Sequence, residues 1–575
     1  MINKKINILR KKFKKLNIDG YIIPKNDEFF GEYVENLKDN LKFISNFSGS
    51  YGFALILKKS NYLFVDGRYT LQAKIQSGKN YEVITIPKKL PFDVLGKKKL
   101  NIGLDPRLHT ESTISRIFKK TNCKLIPLNE NLINEIWIRN GVAKSKSFYK
   151  LKDKDAGKSS KNKIDKLSKI LNLNNIDLQF VSASENVAWL LNLRGSDSKF
   201  SPIPNSYLII SNKKKGYFFC ESSKINPKLR KDLDNNIEIK DINNIENFIL
   251  KIKNKNFQID SSTCSIFFKN IIEKNNKIIV KQDPVYLLKS IKNKTEIKNI
   301  MQTHVYDGVA LTKFLIWLKN NFKNKKITEI SAQEKLLKFR KKNKTFKSLS
   351  FPTISGSGPN AAIIHYKADK KSNRMLKKGE IYLVDSGGQY YFGTTDVTRT
   401  ISLDNNEKRI KNIFTRVLKG HIAVSTYDIN KNTCGDEIDV VARKYLKQVN
   451  LDYMHGTGHG VGYFLNVHEG PQAISRGNKV KFRQGMVVSN EPGYYEKGKF
   501  GIRIENLVIV KKKKNGYKFE NLTLAPIDKS LIQKKLLNKF EINWINKYHL
   551  KVFNNLKEYM NKSELSELKH YCSNI

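Results

Sequence analysis

The chain has 575 residues, more than one ordinary hydrophobic core can organise, so three or four domains are expected. A hydrophobic content of 39% and an aromatic content of 10% exclude a disordered protein. The formal net charge of +53 comes from lysines scattered through every segment, so no specific nucleic-acid partner is expected.

The first residues form a basic stretch, "MINKKINILRKKFKKLNIDG", whose apolar residues recur at helical spacing. The stretch runs directly into a strand-like patch, so it predicts the first amphipathic helix of a domain rather than a transit peptide. No apolar run is long enough to cross a membrane, so no membrane partner is expected. Five widely spaced cysteines form no metal-binding or redox pair, as is typical of reduced thiols. Together these features predict a cytoplasmic protein.

Two α/β domains are predicted before residue 290. Residues 1–141 alternate helix-like patches with apolar strand-like ones, such as "DGYIIP", "YGFALIL" and "LNIGLD". A polar, lysine-rich stretch over 142–163 predicts a linker. The alternation then resumes and continues to residue 289. Residues 142–289 are therefore predicted to form a second α/β domain with a similar layout but no sequence repeat.

A long predicted helix opens a third region over 290–525, which holds most of the chemistry. Five of the nine histidines lie between residues 365 and 468 of this region: His365, His421, His455, His459 and His468. The tail, residues 526–575, is predicted to be helical. Its apolar residues Trp544, Tyr548, Leu550 and Phe553 follow near-helical spacing, which indicates a helix that packs on the core or contacts another subunit.

Four carboxylates in the third region stand in positions that favour metal binding. The segment "IYLVDSGGQYYFGTTDVTRTIS" predicts two strands around a glycine-rich turn, with Asp385 and Asp396 facing each other across the hairpin. Two adjacent carboxylates repel each other unless cations neutralise them. Glu491 follows in "SNEPGYY". Glu505 lies in the apolar run "FGIRIENLVIV", where a lone buried carboxylate would be costly.

The charges of this set balance with two divalent cations, because four carboxylates carry −4 and two cations carry +4. One neutral imidazole completes the set. Oxygen ligands with a single nitrogen suit Mn²⁺ best, with Co²⁺, Zn²⁺ or Fe²⁺ as alternatives. Paired cations of this kind serve hydrolysis. Taken singly, "DSGG" and "HGTGH" are more typical of turns and structural histidines, so only the joint arrangement favours a dinuclear hydrolase.

The third region resembles the pita-bread metallopeptidases, the group that contains methionine aminopeptidase, prolidase and Xaa-Pro aminopeptidase. The matching motifs, in order, are "IIHY", "DSGGQY", "GTTDVTRT", "HGTGHGVG", "NVHEGP", "EPGYY" and "GIRIEN". The resemblance extends over the whole chain to the long, three-domain Xaa-Pro aminopeptidases of the cytosolic type. It implies an α/β multidomain fold, with two creatinase-like N-terminal α/β domains before a pita-bread α+β catalytic domain and a C-terminal helical extension.

The resemblance also implies roles for individual residues. Two divalent cations would be bound by Asp385, Asp396, His459, Glu491 and Glu505. In the family pattern Asp396 and Glu505 bridge both cations, Asp385 serves one, and His459 and Glu491 serve the other. The family's non-ligand active-site histidines correspond to His365, His455 and His468.

The reaction implied is release of the N-terminal residue from a peptide with proline in second position, by a hydroxide that bridges the two metals. Glu491 is expected to accept the water's proton, and His455 or His468 to stabilise the oxyanion. His365 and His468 are expected to pack against the proline ring. Tyr495 and Arg503 are expected either to orient ligands or to bind a carboxylate. The glycines of "HGTGHGVG" are expected to let backbone lie close to the substrate.

Three alternatives share parts of this pattern. Prolidase has the same ligands but cleaves only Xaa-Pro dipeptides. Methionine aminopeptidase does not need two preceding domains. A non-catalytic binding protein on the same fold typically lacks the ligands. The full-length resemblance favours the aminopeptidase and implies a homodimer.

Overall fold

The computed structural model describes residues 2–139 and 146–575, and its contacts divide the chain into two compact units, Met1–Tyr286 and Leu287–Ile575. Among these described residues, no helix combines the length and apolarity that crossing a membrane requires. All five cysteines are free thiols.

The first half of the N-terminal unit is a six-stranded sheet with helices. Its strands are β1 (Gly20–Pro24), β2 (Phe53–Leu57), β3 (Asn61–Asp66), β4 (Glu82–Ile86), β5 (Asn101–Leu104) and β6 (Lys124–Pro127). Its helices are α1 (Ile2–Lys11), α2 (Asn40–Ser45), α3 (Thr70–Ser77), α4 (Pro91–Leu95) and α5 (Glu111–Ile117). The helical spacing of the first residues is confirmed, because Ile6, Leu9 and Phe13 are buried in the core beside the sheet.

The second half of this unit contains eight strands and seven helices within the described residues. The strands are β7 (Tyr149–Lys150), β8 (Leu178–Val181), β9 (Leu193–Arg194), β10 (Tyr207–Ser211), β11 (Gly216–Cys220), β12 (Ile237–Asp241), β13 (Asn256–Ile259) and β14 (Lys277–Val280). The helices are α6 (Asp153–Ala156), α7 (Ser160–Leu173), α8 (Ser184–Leu190), α9 (Pro227–Asp232), α10 (Ile245–Leu250), α11 (Ile266–Glu273) and α12 (Pro284–Ser290).

The two sheets have the same topology. The first has the strand order β4-β3-β2-β1-β5-β6, and the second has the order β12-β11-β10-β8-β13-β14. In both, the first strand pairs antiparallel with the second and parallel with the fifth. The similar layout predicted from the sequence is therefore confirmed at the level of strand order and direction.

The predicted linker is wrong for the part that the structure describes. Residues 146–163 contain β7, α6 and the start of α7, and Tyr149 pairs with Arg194 of β9. Lys152, Lys154, Lys158 and Lys161 are exposed, whereas Leu151 and Lys163 are buried. The predicted boundary at residue 141 lies outside the described residues. The boundary at 289 falls inside α12, and the domain limits stay predictions.

The C-terminal unit is built from six helices and thirteen strands within the described residues. The helices are α13 (Lys294–Asn321), α14 (Glu329–Lys341), α15 (Lys408–Ser425), α16 (Gly435–Lys447), α17 (Lys539–Leu556) and α18 (Lys562–Cys572). The strands are β15 (Phe346–Leu349), β16 (Ile354–Ser357), β17 (Ile381–Ser386), β18 (Gly388–Tyr390), β19 (Gly393–Thr394), β20 (Val397–Ser402), β21 (Gly458–Gly460), β22 (Glu469–Ile474), β23 (Val487–Asn490), β24 (Gly493–Glu496), β25 (Phe500–Arg503), β26 (Asn506–Lys513) and β27 (Gly516–Asn521).

Two sheets of this unit carry the site, one with the order β16-β17-β20 and one with the order β22-β21-β23-β26-β27. The predicted simple hairpin is wrong in detail, because β18 and β19 lie between its strands and Asp385 pairs directly with Thr398 rather than facing Asp396. Asp396 instead immediately precedes β20.

The C-terminal helices share one core with the rest of this unit. Ile545 of α17 and Leu568 of α18 pack in the same cluster as Phe414 of α15 and Ile502 of β25. Asn538 and Glu541 form a capping box that fixes the start of α17. The predicted helix is confirmed, but Leu550 is 57% exposed and does not belong to the buried face.

Arg399 in β20 joins the tail to the sheet. Its guanidinium is buried and donates to the carbonyl oxygens of Glu505, Ala525 and Pro526 and to the hydroxyl of Tyr548. These bonds satisfy a buried charge with oxygen atoms from three parts of the chain.

Candidate metal centre

The five predicted ligands lie at strand ends of the two sheets. Asp385 is in β17 and Asp396 precedes β20, whereas His459 is in β21, Glu491 follows β23 and Glu505 precedes β26. The Glu505 amide donates to the Thr398 carbonyl at 3.2 Å, which joins the two sheets at the site. The topology therefore brings together residues that are up to 120 positions apart in the chain.

His459 faces two of the carboxylates. Its Nε2 atom lies 3.5 Å from Asp396 Oδ2 and 3.4 Å from Glu491 Oε1. Single ligand atoms of Asp396, His459 and Glu505 all lie within 4.8 Å of one another. The Nδ1 atom lies 2.9 Å from the Gly460 carbonyl, so it carries the proton and leaves the Nε2 lone pair for a cation.

Asp385 shows that the donor set fits a cation. Its Oδ2 atom accepts a hydrogen bond from Arg503 at 2.6 Å. Its Oδ1 atom is buried and has no hydrogen-bond partner among the described residues. A buried carboxylate oxygen without a donor is costly unless a cation binds it.

The electrostatics of the carboxylates also favour a bound cation. Burial, followed by the charges of Asp385 and Glu491, raises the pKa of Asp396 well above its usual range. Burial, followed by the charge of Asp396, likewise raises the pKa of Glu505. Burial also raises the pKa of Glu491. Such a cluster holds its full negative charge only when cations are bound, and carboxylate oxygens with one imidazole suit first-row divalent cations.

His455 belongs to a hydrogen-bonded chain that starts at Arg503. The guanidinium Nη1 donates to the Tyr495 hydroxyl at 2.5 Å, and the hydroxyl lies 2.9 Å from His455 Nε2. His455 Nδ1 lies 2.8 Å from the Gly456 carbonyl. Both ring nitrogens of His455 therefore have partners within the protein.

Arg503 is buried, with 2% exposure, and its three nitrogen atoms all have protein partners. Besides Asp385 and Tyr495, its Nε donates to the Thr398 hydroxyl at 3.1 Å. Of the two roles expected for this residue, the geometry favours orienting ligands over binding a substrate carboxylate.

The other two histidines lie on separate loops. The His468 ring is 4.2 Å from the His459 ring, in an edge-on arrangement. His365 is half-buried in the segment between β16 and β17. Its role stays a prediction.

Two glycines of "HGTGHGVG" pack closely against neighbouring strands. A Cβ atom on Gly458 would lie 2.0 Å from the Ser489 carbonyl oxygen, and one on Gly460 would lie 2.3 Å from that of Glu469. These glycines therefore let β21 approach its neighbouring strands. Their approach to a substrate stays a prediction.

Two hydroxyl residues of the site were missed from the sequence. Thr398 donates to Glu505 Oε2 at 2.9 Å. Ser489 donates to Glu491 Oε1 at 3.0 Å and accepts a hydrogen bond from the His459 amide. Ser489 lies two residues before Glu491 at the end of β23, so strand alternation could have indicated it.

Comparisons with known proteins cover the whole chain. The family description "Creatinase/Prolidase N-terminal domain" matches residues 5–136 and, in a second form, 141–296. "Metallopeptidase family M24" matches residues 298–512, and "C-terminal region of peptidase_M24" matches 515–575.

Several relatives are similar over nearly their full length. A probable Xaa-Pro aminopeptidase P of Laccaria bicolor is 37% identical, with 98% of this chain and 92% of the relative covered. Xaa-Pro aminopeptidase 1 of Dictyostelium discoideum is also 37% identical, with 96% and 92% covered.

Solved structures share the fold. An X-prolyl aminopeptidase from Caenorhabditis elegans, described as a cytosolic enzyme with a di-nuclear active site, superposes with a TM-score of 0.93 at 31% identity and 100% coverage of both chains. A prolidase from Pyrococcus horikoshii has a TM-score of 0.52 at 24% identity and covers 64% of this chain and 99% of its own, which shows a shared fold only.

Proposed function

Because the chain belongs to metallopeptidase family M24, with two creatinase-type domains before its catalytic region, we propose that it is an aminopeptidase that removes an N-terminal residue preceding proline. The observation that carries this proposal is the convergence of four carboxylates and His459 Nε2 in a chain similar over its full length to Xaa-Pro aminopeptidases. The two creatinase-type domains set it apart from the methionine aminopeptidase alternative.

Two divalent cations, most suitably Mn²⁺, would be held by Asp385, Asp396, His459, Glu491 and Glu505. Asp396 and Glu505 would bridge them, Asp385 would bind one, and His459 with Glu491 would bind the other. When bound, the cations supply an activated water and polarise the scissile carbonyl group. The orphaned Asp385 Oδ1 and the repulsion within the cluster support this assignment.

Glu491 is our candidate for moving the proton. It accepts a proton from the attacking water and delivers it to the departing proline nitrogen. Its Oε1 atom is held by the Ser489 hydroxyl, and Oε2 lies 4.0 Å from His455 Nδ1. Burial raises its pKa in the metal-free protein, and bound cations would oppose that shift.

His455 and His468 are our candidates for donating a hydrogen bond to the oxyanion. His365 and His468 would offer flat faces to the pyrrolidine ring. The Xaa-Pro bond is a tertiary amide without an N–H group, so a site that selects proline by packing does not need to bind that group.

We further propose a cytoplasmic homodimer. The related enzyme from Caenorhabditis elegans is described as cytosolic. Phe540 and Leu550 of α17 are large apolar side chains that are 60% and 57% exposed, which suits a subunit contact. Light scattering after size-exclusion chromatography tests this state, and a monomeric mass at micromolar concentration would contradict it.

The decisive experiment reconstitutes metal-free enzyme with Mn²⁺, Co²⁺, Zn²⁺ or Fe²⁺ and assays Xaa-Pro dipeptides and Xaa-Pro tripeptides. We expect both lengths to be cleaved, with the highest rate in Mn²⁺. Cleavage of dipeptides alone would establish the prolidase alternative. No turnover with any cation would support a binding protein.

A further inference from the structure

A buried ion pair on α16 holds the loop that carries His455. Arg443 Nε and Nη2 donate to the two carboxylate oxygens of Asp439, at 2.9 and 3.0 Å. The two residues are one helical turn apart, and their side chains are 11% and 5% exposed. A forked pair of this kind has a fixed geometry, because both groups are planar.

Besides a bond from Arg443 to the Asp452 carboxylate at 2.8 Å, this pair binds three alternate residues of the loop. Arg443 donates to the carbonyl oxygens of Tyr453, at 2.8 Å, and of His455, at 2.7 Å. The Thr457 hydroxyl donates to Asp439 Oδ1 at 2.6 Å. The segment from 453 to 457 is thus fixed at three points to one helix.

Aromatic contacts continue this support to the imidazole ring. The guanidinium of Arg443 lies 4.0 Å from the centre of the Tyr453 ring. The Tyr453 ring centre lies 4.8 Å from that of His455, and His455 Nε2 lies 2.9 Å from the Tyr495 hydroxyl. The ring of His455 is therefore held between two tyrosines, one of which rests on Arg443.

The far end of the loop reaches the candidate metal ligands. The Glu491 amide donates to the Thr457 carbonyl oxygen at 2.8 Å. His459 follows two residues after Thr457. A displacement of the loop would therefore change the positions of His455 and Glu491 together.

We propose that Arg443 and Asp439 are positioning residues that set the orientation of His455 for peptide hydrolysis. This inference rests on the proposed function. Neither residue is a predicted ligand, and both act through the loop from 453 to 457. The site would then be supported from α16 as well as from its two sheets.

The test compares Arg443→Lys with Arg416→Lys. Lysine keeps the charge but has three donors on a single atom, so it cannot replace the five hydrogen bonds that the guanidinium makes to Asp439, Asp452 and the two carbonyl groups. Arg416 on α15 is the matched control, since it also binds a backbone carbonyl, that of Tyr445 at 3.1 Å, away from the His455 loop. We expect Arg443→Lys to lower kcat on Arg-Pro-Pro roughly tenfold with KM changed less than about twofold, and Arg416→Lys to leave both unchanged.

A double-mutant cycle separates positioning from general stability. In a His455→Ala background, Arg443→Lys should change kcat by less than about twofold, because the group that it positions is absent. Equal losses in the two backgrounds would overturn the proposal. If Arg443→Lys does not fold, Asp439→Asn takes its place in the same cycle.

A second readout does not depend on activity. In protein labelled with ¹³C at histidine Cε1, the His455 signal is assigned by its loss in His455→Ala. This signal should move in Arg443→Lys and stay in place in Arg416→Lys, and an unmoved signal in Arg443→Lys would overturn the inference. Absence of Xaa-Pro hydrolysis in the wild-type protein would refute the proposed function, while the signal would still decide the role of Arg443.

Discussion

The Nη2 atom of Arg503 lies 2.6 Å from Oδ2 of Asp385, and both side chains are buried. The other oxygen of this carboxylate has no hydrogen-bond partner among the described residues. Arg503 therefore fixes one oxygen of Asp385 and leaves the other oriented for a cation. The same guanidinium holds the Tyr495 hydroxyl, so one residue supports a ligand and the His455 chain together.

Replacing this arginine by lysine should weaken the site without removing a ligand. In Arg503→Lys the single ammonium cannot bind Asp385, Tyr495 and Thr398 together, so we expect metal affinity and kcat/KM to fall roughly 10- to 100-fold. Metal titration and steady-state kinetics measure both. Arg409 forms an ion pair with Glu496, and its side chain is 54% exposed. In the control variant Arg409→Lys, metal affinity and kcat/KM should stay within about twofold of the wild type. Wild-type metal affinity in Arg503→Lys would contradict this role.

Asp396→Asn should abolish turnover and metal binding. The substitution removes the charge of the proposed bridging carboxylate while keeping its size, so the fold should be largely intact. Elemental analysis, circular dichroism and the Arg-Pro-Pro assay together check the prediction. Normal activity of Asp396→Asn would contradict the assignment of Asp396 as a metal ligand.

Metal removal should reveal a pH-dependent loss of stability. In the metal-free folded protein, burial and the charge of Asp396 raise the pKa of Glu505 well above its ordinary value of about 4 in the unfolded chain. The free energy of unfolding therefore falls as pH rises from that value through the raised pKa of the folded state. Glu505→Gln is neutral throughout, so its thermal stability relative to the wild type should improve as pH rises from about 4 to about 8.

Thermal unfolding in the presence of a chelator measures this difference. The metal-loaded wild type serves as the control, because bound cations stabilise the ionised carboxylates and should remove the decline. If the difference in thermal stability between Glu505→Gln and the wild type stays constant over the pH range, the pKa of Glu505 is not raised in the folded state.

Gly458→Ala should destabilise the catalytic unit. The added Cβ would lie 2.0 Å from the Ser489 carbonyl oxygen, so β21 and β23 must separate, at a cost of about 1–3 kcal/mol or more. His459 and Glu491 follow these contacts, so metal affinity should fall as well. Gly31→Ala, where a Cβ would meet no atom within 4 Å, is the matched control in denaturant unfolding. Equal stability of the two variants would disprove the close-packing argument.

Selectivity for proline can be tested with two tripeptides. Arg-Pro-Pro should be cleaved after arginine, whereas Ala-Ala-Ala should be a poor substrate, because its second residue offers no ring to pack against the proposed histidine faces. Product analysis by mass spectrometry after fixed times measures both reactions. Similar rates of cleavage for the two peptides would contradict the proposed selectivity for proline in the second position.

The sequence was sufficient for the fold class, because the motifs from "IIHY" to "GIRIEN" occur in order and the apolar patches repeat at strand spacing. The hairpin around Asp385 was only partly predictable. A glycine-rich turn and two extra short strands have the same local composition, and only the partners of β18 and β19 distinguish them.

Other features depend on contacts between distant residues. Nothing local distinguishes Leu550 from Tyr548, but only the tyrosine faces the core. The close contact between Gly458 and Ser489 of a neighbouring strand likewise cannot be read from "HGTGHGVG" alone. Arg443 looks like any surface arginine of a helix until the loop from 453 to 457 folds onto it.

The hydrogen bonds of Arg399 make β20 depend on the C-terminal part of the chain. The hydroxyl of the neighbouring Thr398 binds Glu505. The Arg399 guanidinium donates to the carbonyl groups of Ala525 and Pro526 and to the hydroxyl of Tyr548. Three of its six hydrogen-bond acceptors therefore lie beyond the end of β27. A chain truncated after β27 would leave this buried charge without half of its acceptors, so we expect β20 and the cation-binding cluster beside it to be destabilised.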